Sequence, residues 1–324
     1  MPTIYEVAAR AGVSPATVSR VFNGVNVSEE KSKRVREAAS ALKFTPNRTA
    51  RSLRRQNSEV IALVIPDIEN PFFTSMARGV EDVAQAAGYS VVLCNTDDDH
   101  SKEARYLDIA VGENMAGVIL APAGDHSDVG ALIARKRPIV AVDRSPHGFD
   151  VDAVMVDNYS GGQAATRALI DQGYKRVACI TGPADVETAK QRSDGWRQMI
   201  TATGALDQPD DYLRFSDYRV DGGRSAMRDL LAMDTPPDAV FVTNNLMSVG
   251  ALQVLIENGL TPPVVGVAVF GDLPFAALAP SGITIIHLPA RHLGVTAATV
   301  LLERINGDTQ PCRTIVLRNE ISQE

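Results

Sequence analysis

The 324-residue chain has only three cysteines, Cys94, Cys179 and Cys312, far apart and without a Cys-x-x-Cys pair. That excludes a disulfide framework and a zinc knuckle, and it fits a reducing, cytoplasmic setting. No apolar run approaches the roughly 18 residues of a membrane span. The opening MPTIYEVAARAG has no basic stretch followed by an apolar core, so no secretory leader is expected. Aromatic residues are sparse, and there is no fixed-period repeat or low-complexity tract. Catalytic signatures are missing too: HExxH, GxSxG and a GxGxxG following a strand are all absent. His100, His126, His147, His287 and His292 are scattered. The expectation is a chain that is not an enzyme and needs no metal or cofactor.

What is present is unevenly distributed charge. The net charge is −7, yet residues 1–57 hold eleven Lys and Arg against four Asp and Glu. A basic head on an acidic body points to local contact with nucleic acid. The length calls for two or three domains.

Within the head, Ile4, Val7, Ala8 and Ala11 recur at helical spacing, and Gly12 ends that helix. Ser14 is placed to cap a second helix, with Pro15 at the first position, where a missing N–H costs nothing. Val18, Val21 and Phe22 form its buried side. Ser28 is expected to cap a third helix running through Val35, Ala38, Ala39 and Leu42. Three helices in under fifty residues, the first two joined by a tight turn, make a helix-turn-helix. Residues 47–57, NRTARSLRRQN, carry four arginines and one apolar anchor, Leu53. So short a helix is marginal alone and is expected to order against a partner.

From Glu59 the pattern changes to alternating strands and helices. VIALVIP, GVILAP, PIVAVD, RVACITG, AVFVTNN and VVGVAVFG are near-continuous apolar runs, as in strands buried on both faces. Two serial sets predict an α/β body of two lobes, each a doubly wound parallel sheet. The expected division is a headpiece at 1–46, a hinge at 47–57 and a body at 58–324. Lobe 1 takes about 58–158 plus 289–315, and lobe 2 about 159–288 plus 316–324, with TIVLRN (314–319) as the last strand.

These segments resemble the lac repressor/galactose repressor family of bacterial transcription regulators along nearly the whole chain. The carrying motifs are YEVAARAGVSPATVSRVFNG, PNRTARSL, IPDIENPFF, GYSVVLCNTDDD, QRSDGW and ITIIHLPARHLG. The resemblance implies a periplasmic-binding-protein-like body and a homodimer on a near-palindromic operator of double-stranded DNA. A solute-binding protein of periplasmic type shares the body but lacks a basic head. In helix-turn-helix proteins the second helix enters the major groove. That points Ser14, Pro15, Ala16, Thr17, Ser19 and Arg20 at base edges, with Arg20 as the guanine reader. Thr3, Tyr5, Asn23, Asn26 and Asn47 are the expected backbone or groove-edge contacts. ARSL resembles the family's hinge helix, which places Leu53 as a minor-groove wedge, with Ala50 and Arg54 beside it.

For the effector, ligands of such lobes sit beyond the carboxyl ends of the strands. Phe72, Phe73, Asp143, Arg192, Tyr218 and Asn244 fall there and match cleft positions of the family. Two departures stand out. Where the family commonly has an aspartate that binds effector hydroxyls, this chain has Gly271, and the usual Gln-Pro at the lobe crossover is Leu288-Pro289. The expectation is a small carbohydrate-like effector that is less hydroxylated, or an anionic one gripped by Arg192; the alternative is a shift that recruits Asp272 or His287.

Overall fold

The computed structural model describes residues 2–22, 26–44, 58–124, 127–204, 206, 208–273 and 280–323. They fall into two compact units, 1–57 and 58–324. Asn23, Asn47, Ala50, Leu53 and Arg54 lie outside the described residues.

The first unit contains α1 (Ile4–Ala11), α2 (Pro15–Phe22) and α3 (Glu29–Ala41), closed around Val7, Val18 and Val35. Thr3 and Glu6 form a reciprocal capping box at the start of α1. Gly12 turns the chain in the left-handed region, at φ 62°. Ser14 accepts from Thr17 N at 3.2 Å and so caps α2. Ser28 does not cap through its side chain; its backbone carbonyl takes Ser32 N–H instead.

One organising contact was not expected. Arg34, on α3, donates to the Ala11 carbonyl at 2.5 and 3.0 Å and to the Gly12 carbonyl at 3.0 Å. It satisfies the orphan carbonyls at the end of α1 and fixes the turn that aims α2. A Cβ at residue 12 would stand 2.6 Å from Arg34 Nη2, so glycine is needed twice over. Arg34→Ala is expected to cost the headpiece about 1–3 kcal/mol. Amide hydrogen exchange in α1 and α2 measures this, and unchanged protection there would refute the clamp.

The second unit has two six-stranded sheets. Lobe 1 carries the order β11-β5-β4-β3-β1-β2. Its strands are β1 (Val60–Ile65), β2 (Ser90–Asn95), β3 (Gly117–Leu120), β4 (Ile139–Val142), β5 (Asp152–Val156) and β11 (Thr314–Leu317). All of its pairings are parallel. Lobe 2 carries β12-β10-β9-β8-β6-β7. These are β6 (Val177–Thr181), β7 (Leu213–Phe215), β8 (Ala239–Val242), β9 (Gly266–Phe270), β10 (Thr284–His287) and β12 (Glu320–Gln323). Only β12 runs antiparallel, against β10.

The sequence reading is corrected in three places. β12 lies beyond the expected last strand; it is a mostly exposed edge strand and carries no apolar run. The 315/316 lobe boundary would cut β11, which pairs with β5 over its full length, so lobe 1 extends to 317. The sequence also predicts a helix near 127–136, and it spans only Gly130–Ala134.

Three helix pairs pack with almost no gap, each through one glycine per helix. They are α4 (Pro71–Ala86) on α11 (Ala290–Ile305), α7 (Asn158–Asp171) on α8 (Glu187–Thr203), and α9 (Val220–Leu231) on α10 (Asn245–Glu257). In the second pair a Cβ on Gly162 would sit 2.3 Å from the Arg192 carbonyl, and one on Gly195 2.3 Å from the Tyr159 carbonyl. Helix α8, which carries Arg192, therefore has one permitted depth.

The chain passes between lobes at Asp157, at Leu288-Pro289 and at 318–319. Asn319 Nδ2 donates to the Asp157 carbonyl at 2.8 Å, tying the first passage to the third. Among the described residues no helix is long and apolar enough to cross a membrane.

Candidate functional site

In the headpiece, Arg20 is exposed in the last turn of α2 and makes no ion pair or hydrogen bond among the described residues. Ala16 is exposed beside it, and Pro15 and Ser19 are half-buried. Ser14 and Thr17 are bonded to each other, Oγ to Oγ1 at 3.0 Å, so their hydroxyls serve the cap first. Thr3 is likewise engaged in its capping box. Tyr5 is 71% exposed and Asn26 is exposed, as backbone-contacting residues must be.

In the body, the cleft between the lobes is lined by Phe72, Phe73, Asp143, Arg192, Tyr218 and Asn244. It also takes in Asp67, Asn70, Asp98, Arg144, Thr188, Arg219, Asn245, Phe270 and Leu288, which sequence reasoning did not assign to contact. Asp143 directly follows β4, and Asn244 caps α10, which Asn245 begins, after β8. Asp98, Asp143 and Tyr218 all hold a left-handed backbone, at φ 55°, 64° and 62°. That conformation is uncommon away from glycine, most of all for a bulky residue, and it gathers at binding sites.

Arg192 is almost wholly buried. Its Nε donates to Asn158 Oδ1 at 2.9 Å and its Nη1 to the Thr243 carbonyl at 2.8 Å. The guanidinium lies over the Phe270 ring at 4.2 Å. Its Nη2 stands 3.9 Å from Asp143 Oδ1, across the cleft. That is too long for a direct hydrogen bond, and an oxygen set to one side of the line joining them can bond both. Arg144 donates from Nη1 to Asp98 Oδ1 at 2.9 Å and to the Pro122 carbonyl at 3.1 Å. Its buried Nε has no hydrogen-bond partner. Burial pushes the Asp143 carboxyl above its ordinary range, against the pull of Arg144 and Arg192. Burial likewise lowers the Arg192 pKa.

The lobes touch at several points along the cleft. Arg219 Nη1 donates to Asp67 Oδ2 at 2.8 Å, Asn245 Nδ2 to Asn70 Oδ1 at 3.1 Å, and Ser145 N to Glu187 Oε2 at 3.0 Å. Tyr218 packs against the bare backbone of Gly182, where a Cβ would lie 2.1 Å from its ring. Phe72 and Phe73 meet edge to face at 5.0 Å and are core residues first, with part of their surface reaching the cleft.

Asp272 is not in the cleft. Its carboxylate is 65% exposed and bonds His287 Nδ1 at 2.5 Å, and His287 Nε2 bonds Ser322 Oγ at 2.6 Å. The turn at Gly271, φ 100°, precedes it; Asp272 is spent on His287, and His287 on Asp272 and on Ser322 of β12. Among the described residues no cluster of His, Cys, Asp and Glu could hold a metal.

A helix-turn-helix joined to a two-lobed body with a ligand-sized cleft defines a DNA-binding regulator answering to a small molecule. Residues 3–47 match the family model of bacterial regulatory proteins of the lacI family. Residues 58–322 match the periplasmic binding proteins and sugar binding domain of that family. The chain belongs to the lacI family. It is 37% identical to the ribose operon repressor of Escherichia coli K12, over 96% of this chain and 94% of that one. It is 31% identical to the transcriptional repressor PurR of Pasteurella multocida, over 99% and 97%. Among solved structures, the regulator CelR in complex with cellobiose matches at TM-score 0.75 and 30% identity, covering 99% and 98%. The lac repressor dimer bound to operator and the anti-inducer ONPF shares the fold at TM-score 0.88. The protein is a DNA-binding repressor controlled by a small effector, from a family of regulators rather than enzymes. A solute-binding role without DNA is set aside by the match over the head.

Proposed function

We propose that the chain acts as a homodimer on a near-palindromic operator and that its effector is a neutral polyhydroxylated molecule held between Asp143 and Arg192. The 3.9 Å gap between those two groups carries the reading. A hydroxyl set beside that gap, within hydrogen-bond reach of both groups, donates to the carboxylate and accepts from Nη2. Arg144 Nε, buried without a hydrogen bond and ion-paired with Asp143 Oδ2 at 3.5 Å, offers a second donor beside it. An unmet buried donor is costly, and a ligand oxygen removes the cost.

Charge argues for a neutral ligand over an anionic one. The lining holds three arginines and three aspartates. Arg144 pairs with Asp98 and Arg219 with Asp67, while Arg192 faces Asp143. No cation is left over to offset the desolvation of an anion.

The experiment is fluorescence anisotropy on a near-palindromic duplex selected by the protein from a random pool, titrated with neutral pentoses and hexoses and with their phosphates. A neutral sugar should change operator affinity, and Asp143→Asn should abolish the response while leaving operator binding intact. A response to phosphates alone would overturn the reading. The pH dependence has a definite sign. Hydroxyl donors favour the ionised carboxylate, and the Asp143 pKa is raised. Sugar affinity should therefore fall as pH drops through that raised value, and binding should release protons there, as calorimetry in buffers of differing ionisation enthalpy would record.

A further inference from the structure

Among the described residues, two ion pairs reach from one lobe to the other. In the first, Arg192 and Asp143 stand 3.9 Å apart and await an oxygen that bonds both. The second is already closed. Arg219 Nη1 of lobe 2 donates to Asp67 Oδ2 of lobe 1 at 2.8 Å.

Both ends of this pair are fixed from their own lobe. Asp67 follows β1, and its other oxygen, Oδ1, accepts the Glu69 N–H at 2.9 Å. The next residue, Ile68, gives its N–H to Asn95 Oδ1 at 2.8 Å. On lobe 2, Arg219 N donates to Asp217 Oδ1 at 2.9 Å, and the Arg219 carbonyl takes the Gly223 N–H at 3.1 Å as α9 begins. Just before it stands Tyr218, with its left-handed backbone and its ring against Gly182. Most exposed ion pairs are worth little, because two loose side chains must be ordered in water to make them. Here the Asp67 side chain is only 9% exposed and both backbones are pinned. Opening the cleft would strip this carboxylate of its cation.

We infer that Asp67 and Arg219 form a latch: they are positioning residues that set how much of the body is closed before any effector arrives. An effector bonded to Asp143 on one lobe and Arg192 on the other, which rests on the reading above, binds the closed body better. Its apparent affinity then scales with the closed fraction. Operator binding is linked to the same equilibrium, since the effector controls it. Weakening the latch must therefore change operator affinity with no effector present, in the direction opposite to the effector's own action.

The test uses the full chain carrying Asp67→Asn, Arg219→Gln or both. Operator affinity without effector is read by fluorescence anisotropy on the selected duplex. Calorimetry with D-ribose, D-xylose, D-glucose and D-galactose reads the cleft, and thermal unfolding reports whether each variant keeps its fold. The two single variants change net charge in opposite senses, yet both should shift operator affinity the same way, by at least about threefold. The double variant should shift it no further than the larger single. Any sugar that binds the wild type should bind all three variants at least about threefold more weakly. At saturation it should move operator affinity against the direction of the substitutions. A residue that only touches the sugar would lower sugar affinity and leave effector-free operator binding as it was. Unchanged operator affinity in folded variants thus overturns the latch, as do single variants that shift it in opposite directions or effects that simply add. If none of the sugars binds, the Asp143–Arg192 reading falls, and operator affinity alone still decides the latch.

Discussion

Arg192→Ala is expected to remove effector control, lowering effector affinity by about a hundredfold or more. The same change should cost about 3 kcal/mol of stability in the body. Three things go at once. The Asn158 carboxamide and the Thr243 carbonyl lose their donor, the Phe270 ring loses its cationic neighbour, and Asp143 stays buried with Arg144 as the remaining positive charge beside it. Arg192→Lys should not rescue it, because an ammonium cannot meet an amide, a carbonyl and a ligand hydroxyl in one plane. Thermal unfolding with and without the bound sugar separates the two effects. A variant that is destabilised but still shifted by the sugar to the wild-type degree would reduce Arg192 to a packing role.

Arg20→Ala should act at the other end, on specificity. Loss of a bidentate guanine contact costs about 1–3 kcal/mol, or roughly 5- to 150-fold in operator affinity. Binding to unrelated duplex should change far less. The distinguishing measurement is affinity for operator and for non-operator DNA across a salt series. A base reader narrows the ratio between the two. A phosphate contact weakens both alike and lowers the salt slope by about one. Equal loss on both duplexes would remove Arg20 from base reading.

Much of this architecture is legible in the sequence, for physical reasons. Strands buried on both faces must be continuous apolar runs, so VIALVI and AVFV declare themselves. Cleft residues follow strand ends, so Asp143 and Asn244 can be located by counting. What escapes is whatever depends on distant partners. Asp67 and Arg219 are 152 positions apart, and no local pattern joins them. Arg34 reads as one more positive charge in a basic head, yet it is spent on carbonyls 22 and 23 residues away. Arg144 was overlooked beside Asp143 because adjacency in sequence does not say which side chain enters a cleft. Asp272 was misplaced because its pairing with His287 comes from neighbouring strands. β12 was missed because an exposed edge strand needs no apolar face.

The three passages between the lobes have a further consequence. Three connections side by side, the first tied to the third by the Asn319–Asp157 bond, resist twisting and sliding and leave bending as the easy motion. Each lobe is stiffened from within by helices in backbone contact, so little of that bend can dissipate as internal deformation. Whatever the molecule in the cleft looks like, the body can report it only as a single angle. All chemical discrimination must then be finished at the cleft wall, because everything downstream receives one number.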